Sequence, residues 1–390
     1  MYVKRLVEDK IISAWKEYPA VIIAGPRRAG KTTLVKKIAE DTGATYVSMD
    51  EPDALLLFNK DIKEFSERYL GKTAVIDEVQ YGKDVGRKIK YLVDIEKKRL
   101  LLTGSSARAI STNVLSFLVG RAYWLTLFPF NLKEIAAAKI GKNVSTPEWE
   151  RLTRTTLETG CYPEVVLSDP KMRRERIATI VRATVSKEAA ELANSDETTV
   201  WATMKAISAT RGGPVAISTL SELVGESQSR IKRVLNALEE AFLILRVAPY
   251  TRNPAKSMRR QKKIYFVDPG VDAYMRRFAD PDGVSMETLV LSELLKKGYR
   301  PYFWRTKGGA EVDFVVETEE GLVGIEVKLR AKRAVPRSVR SFVSKENPSA
   351  AYIVDGIGDS WAERVGRTTV EKIPVWELWA RLPEVLGPYP

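Results

Sequence analysis

Nine consecutive residues, Gly25, Pro26, Arg27, Arg28, Ala29, Gly30, Lys31, Thr32 and Thr33, have the types and spacing of a phosphate cradle. The two glycines let the backbone curl so that successive N–H groups point at phosphate oxygens, and a helix opening here adds its partial positive charge. Lys31 would reach the β- and γ-phosphates, and Thr32 would place its hydroxyl on Mg²⁺. This chemistry requires a strand before the loop and a helix after it. The apolar run Val21 to Ile23 and the pair Thr33-Leu34 meet that requirement, which makes the stretch a P-loop in context. A second constellation, Asp77-Glu78, closes the run TAVIDEVQ from Thr73 to Gln80. Apolar residues ahead of it place both carboxylates at the carboxyl end of a buried parallel strand, where an α/β sheet keeps its ligand crevice. Asp77 would hold Mg²⁺ directly or through water, and Glu78 would polarise the attacking water.

The elements that must position these groups belong to a chain of 390 residues, long enough for two to four units. The net charge of +13 favours an anionic polymer as partner. Cys161 is the only cysteine and histidine is absent, so disulfides, Cys/His zinc sites and histidine-dependent catalysis are excluded. Any metal must sit on oxygen ligands, which favours Mg²⁺ or Mn²⁺. The first residues, MYVKRLVEDKIISAW, carry charges within an apolar pattern and read as a core-packed helix, not a signal peptide. No apolar run is long enough to span a membrane, so the expectation is a cytoplasmic enzyme without membrane contact.

RLLLTGSS, from Arg99 to Ser106, reads as a further buried strand ending in hydroxyl residues. Thr103, Ser105 and Ser106 stand where a polar group could sense the γ-phosphate or orient the water; an ordinary strand-to-turn transition explains them as well. The runs GPRRAGKTTL, IDEVQ, LLTGSS and LVGRAYWLTLFPFNLKE resemble the bacterial and archaeal AAA+-type ATPases that carry a restriction-endonuclease-like C-terminal domain. The resemblance implies ATP and Mg²⁺ as cofactors. It also makes Arg121, after Gly120, the first candidate for an arginine that touches the γ-phosphate, in cis or from a neighbouring copy in a homo-oligomer. Arg108 is the second.

From Asn131 the strands give way to helical spacing: Leu132, Ile135 and Ala136, then Trp149, Leu152 and Leu157. The turn from Gly160 to Glu164 interrupts this helical lid. A short helix, STLSELVG, a Gly225 turn and a longer helix, SQSRIKRVLNALEEAF, then fit a helix-turn-helix. Two β-rich runs follow around a basic loop, and no acidic residue falls between Glu240 and Asp268. This pattern predicts a winged helix with a cationic wing, with Arg230, Arg233, Arg259, Arg260, Lys262 and Lys263 as DNA contacts.

In the last third, a helix carrying Glu287 precedes strand-like runs at Tyr302–Thr306, Glu311–Val316 and Leu322–Leu329, then a basic helix and the strand Ala350–Asp355. Period-2 geometry sets Glu326 and Lys328 on one face, and Asp313 can join them from the neighbouring strand. This resembles the PD-(D/E)XK nuclease superfamily. The resemblance implies Mg²⁺ on Asp313 and Glu326, Glu287 beside them and Lys328 near the scissile phosphate. Cleavage and retention of the fold for binding alone both remain open.

The fold class expected is therefore α/β: an AAA+-type P-loop core over 1–130, a helical lid over 131–207, a winged helix over 208–270 and a nuclease-like domain over 271–390. The expected function is a Mg²⁺-dependent ATPase that binds and remodels or processes DNA, duplex or branched. A slow ATP-dependent signalling or defence switch, and a scaffold with an inactive nuclease-like domain, are the alternatives.

Overall fold

The computed structural model describes residues 2–104, 117–252 and 260–383, which fall into two compact units, 2–129 and 130–383. In the first, helix α1 (Glu8–Glu17) leads into strand β1 (Ala20–Ala24), whose five small and β-branched residues are all buried. Helix α2 (Lys31–Thr42) follows the loop, and β2 (Thr45–Ser48), α3 (Pro52–Lys60), α4 (Ile62–Tyr69), β3 (Thr73–Asp77), α5 (Val85–Asp94), β4 (Arg99–Gly104) and β5 (Ala122–Thr126) complete the unit. The strands form one parallel sheet in the order β2-β3-β4-β1-β5. Strand alternation divides the apolar residues between its faces. Ile22, Ile76 and Leu102 pack with Phe58, Phe65 and Ile89 on one side, while Val21, Val75 and Leu101 pack with Ile11, Leu34 and Ile38 on the other. Burying both faces, at about 1.5–3 kcal/mol for each large apolar side chain, is what keeps a parallel sheet in register.

The second unit begins with α6 (Leu132–Lys139) and α7 (Thr146–Thr159), each opened by a capping box: Asn131 with Glu134, and Ser145 with Glu148. Helices α8 (Arg173–Thr184) and α9 (Glu197–Ala209) continue the helical part. Then come β6 (Pro214–Val215), α10 (Ile217–Val224), α11 (Gln228–Glu240), β7 (Ile244–Val247) and β8 (Lys262–Phe266), with a small antiparallel sheet in the order β6-β8-β7. Gly225 ends α10 at φ +76°, a left-handed conformation suited to glycine. Ser227 caps α11 by accepting the Arg230 amide at 3.3 Å. Ile231, Val234, Leu235 and Leu238 form the buried face of α11.

The remainder is α12 (Gly283–Lys297), β9 (Tyr302–Arg305), β10 (Glu311–Thr318), β11 (Gly321–Val327), α13 (Arg337–Glu346) and β12 (Ala350–Asp355), followed by β13 (Trp361–Val365) and β14 (Thr368–Pro374). They make a six-stranded mixed sheet in the order β13-β14-β12-β11-β10-β9. The last two strands are absent from the sequence reading, because β13 buries no residue fully and carries no apolar run. Helix α13 lies so close to β11 that a Cβ on Gly324 would come within 2.4 Å of the Phe342 ring. The chain beyond β7 also joins this sheet: Phe303 N donates to Ala248 O at 3.0 Å and Tyr250 N to Phe303 O at 2.6 Å.

Candidate active site

The loop between β1 and α2 is held open by backbone that only particular residues tolerate. Gly25, at φ +152°, lies against β5, where a Cβ would meet Leu127 O at 2.2 Å, and Gly30, at φ +96°, begins α2. Lys31 is buried and folds back over the loop, donating from Nζ to Gly25 O at 2.8 Å and Pro26 O at 2.9 Å. The loop is braced from behind by Arg5, a residue that the sequence pattern did not mark. Its buried guanidinium donates to Ala29 O at 2.9 Å and Phe128 O at 2.7 Å, tying the cradle to the end of β5.

Strand β4 lies between β1 and β3, so Thr103 stands between the phosphate loop and the acidic pair. Its hydroxyl donates to Asp77 Oδ1 and accepts the Glu78 amide at 3.0 Å. Tyr46 OH donates to Asp77 Oδ2 at 2.8 Å. Burial, the nearby Asp77 charge and this bond together push the Tyr46 phenol well above its ordinary range, keeping it a donor. Asp77 is thus a buried carboxylate fixed by two hydroxyls. Glu78 sits at φ +53°, a conformation rare outside glycine that turns the chain sharply after β3; Gln80 Nε2 donates to its Oε2 at 2.5 Å. The donor set, a helix-start hydroxyl at Thr32 and the Asp77 carboxylate, suits Mg²⁺ with phosphate oxygens.

Arg121 does not belong to this group within one chain. It precedes β5, and Ala20 pairs with Ala122 while Ala24 pairs with Thr126, so Arg121 lies at the amino edge of the sheet, opposite the loop. There it pairs with Asp94 at 2.8 Å. The in-cis reading of Arg121 is therefore corrected. Ser105, Ser106, Arg108 and Arg259 lie outside the described residues.

In the second unit, Glu287 from α12, Asp313 from β10 and Glu326 from β11 are brought together with Glu311, which the sequence reading had not marked. Asp313 and Glu326 lie one step beyond the paired residues Phe314 and Ile325. Asp313 Oδ2 accepts the Val327 amide at 2.8 Å, and Lys328 Nζ donates to Glu326 Oε1 at 2.6 Å. Burial first, and then the Asp313 charge, raise Glu287 and Glu326 to about 7; burial also raises Asp313.

Lys263, expected on a solvated wing, is instead 1% exposed within this cluster. It stands 2.6 Å from Glu311 and 3.8 Å from both Glu287 and Asp313. Burial pulls its pKa down, but Glu287, Asp313 and Glu311 outweigh that and raise it. Its role as a DNA contact is corrected: the ammonium cannot reach a phosphate. A divalent ion on Asp313 and Glu326 fits poorly here as well. Two lysines already pair with its carboxylates, and among the described residues no three metal-ligating side chains are placed to hold an ion.

Of the remaining basic candidates, Arg230 is committed to Asp196 and to Glu226, the latter at 3.0 Å. Lys262 is half-buried and its pKa is lowered, by burial first and then by Arg246. Arg233 and Arg260 are exposed, as are Lys232 and Gln228.

Residues 17–136 match a family described as an AAA domain. With the parallel sheet and its loop, this makes the first unit an AAA-type P-loop ATPase domain, nucleotide-binding in kind. Residues 150–282 and 282–373 match two families described as domains of unknown function, DUF8612 and DUF4143. The chain is similar to an uncharacterized protein of Mycobacterium tuberculosis, 25% identical over 340 residues that cover 83% of this chain and 73% of that protein. An uncharacterized protein of Haemophilus influenzae is 24% identical over 356 residues, 84% of this chain and 85% of its own. Among solved structures, a Walker-type ATPase of Pyrococcus abyssi aligns with a TM-score of 0.48 at 15% identity, over 70% of this chain and 96% of that one. No helix of the described residues is long and apolar enough to cross a membrane.

Proposed function

We propose that the protein is a Mg²⁺-dependent ATPase whose nucleotide state governs DNA binding by its second unit. The observation that carries the hydrolytic reading is the Thr103 hydroxyl, which holds Asp77 and the Glu78 backbone in one arrangement beside the phosphate loop. The loop amides and Lys31 would bind the phosphates, Thr32 and Asp77 would hold Mg²⁺, and Glu78 would accept a proton from the attacking water. Mg²⁺, when bound, supplies charge neutralisation on the phosphate oxygens. Lys31, now closed over its own loop carbonyls, would exchange those acceptors for phosphate oxygens.

The order α9-β6-α10-α11-β7-β8 supports a winged helix, and the mixed sheet flanked by α12 and α13 supports a nuclease-like domain. Gln228, Lys232 and Arg233 on α11, Arg260 ahead of β8, and Arg330, Lys332, Arg333 and Arg337 before and at the start of α13 are exposed. They would meet the DNA backbone, so that binding weakens steeply with salt. The test is ATP turnover with and without single-stranded, duplex and branched DNA, alongside DNA affinity against salt. Stimulation by DNA, and a flatter salt slope after joint neutralisation of Lys232, Arg233 and Arg260, are expected. Turnover indifferent to every DNA would leave a nucleotide switch without a nucleic-acid partner.

A further inference from the structure

We infer that Lys263 is the resident cation of the C-terminal carboxylate cluster, supplied by the wing strand β8 in place of a divalent metal ion. The inference rests on geometry in the second unit and is independent of the ATPase reading. A buried ammonium is costly unless carboxylates surround it, and here Glu311, Glu287 and Asp313 all lie within 3.8 Å of Nζ. Three carboxylates around one cation is also the ligand chemistry of a hard divalent ion. The alternation of β8 puts Tyr265 on the same side as Lys263, and its hydroxyl donates to Glu287 Oε2 at 2.6 Å. Strand β8 therefore contributes both a charge and a hydrogen-bond donor to carboxylates carried by α12 and β10. The Phe303 ring, 5.6 Å from Nζ, adds a further apolar wall with a favourable face for a cation.

The substitution is incomplete in one respect. Glu326 is 5% exposed, and its Oε2 is buried without a hydrogen-bond partner. The Lys263 charge falls on Glu311, Glu287 and Asp313, while Lys328 serves Glu326 Oε1 and leaves Oε2 unanswered. Removal of the Lys263 charge would leave Glu311, Glu287 and Asp313 with oxygens to share around one ion, with Glu326 beside Asp313. The cluster then has the composition of a Mg²⁺ or Mn²⁺ site, which the intact wing strand withholds.

The test uses the full chain without nucleotide and Mn²⁺ as the probe, with bound ion measured by loss of the free Mn²⁺ spin-resonance signal. Wild type should show no site that Asp313→Asn removes. Lys263→Met should gain one saturable Mn²⁺ site per chain, lost again in the Lys263→Met, Asp313→Asn double variant. Lys263→Gln, nearer in polarity, provides the same comparison should the methionine variant fail to fold, with circular dichroism reporting the fold. A wild-type Mn²⁺ site abolished by Asp313→Asn would overturn the inference. So would a folded Lys263 variant that gains no site.

Discussion

Thr103 and Asp77, on adjacent parallel strands, share a buried hydrogen bond in which the threonine hydroxyl donates to the carboxylate and also accepts the Glu78 amide. One side chain thus fixes the carboxylate that would hold Mg²⁺ and the residue that would activate water. Thr103→Val keeps the shape, removes both bonds and leaves a buried carboxylate oxygen short of a donor, at a cost of about 1–3 kcal/mol. Steady-state turnover is expected to fall by roughly 10- to 100-fold with ATP affinity little altered, since the loss lies in positioning. Equal turnover in the two proteins would remove Thr103 from the mechanism.

Arg5 braces the same loop through its backbone. Arg5→Met deletes two charge-assisted bonds to Ala29 O and Phe128 O while keeping a stem to fill the space. The expected outcome is a first unit destabilised by about 2–4 kcal/mol and nucleotide binding weakened, because the cradle loses its tie to β5. Chemical denaturation and nucleotide titration on the same variant check both effects; unchanged values for both would show the brace to be dispensable.

The acid cluster makes the second unit sensitive to pH. Glu326 has its pKa raised from 4.5 to about 7, chiefly by burial. A carboxyl whose folded pKa exceeds its unfolded value stabilises the fold fully below the unfolded pKa and loses that contribution as pH rises through the folded one. Glu287 is raised in the same way. Stability of the second unit should therefore decline between about pH 4.5 and 7, and Glu326→Gln should flatten that decline. Denaturant unfolding at several pH values reads this directly, and a wild-type profile rising through the window would contradict it.

Much of this was legible in the residues. The phosphate loop, the acidic pair and the hydroxyl strand were readable because each requires a fixed spacing on a strand or at a turn, and the sheet order brings them to one edge. The carboxylates Asp313 and Glu326 follow in the same way from alternation on β-strands, and Glu287 from the helix that precedes them. Lys263 was misread because a run of basic residues suggests solvent, although its alternation with Tyr265 marked the opposite face from Lys262. Arg5 left no signal, since its partners are carbonyls far along the chain. Glu311 reads as an ordinary strand-start charge; Arg305 lies 3.6 Å from it, and the approach of β8 adds Lys263 at 2.6 Å.

At the Mg²⁺-nucleotide site that Lys31, Thr32 and Asp77 would form, Glu78 would accept the proton of the attacking water. The most direct measurement is single-turnover ATP hydrolysis by Glu78→Gln beside wild type, with nucleotide affinity measured on both. Hydrolysis should fall by about 100-fold or more while ATP affinity stays within roughly threefold, because only proton acceptance is lost. Turnover at the wild-type rate in Glu78→Gln would remove Glu78 from the hydrolytic step.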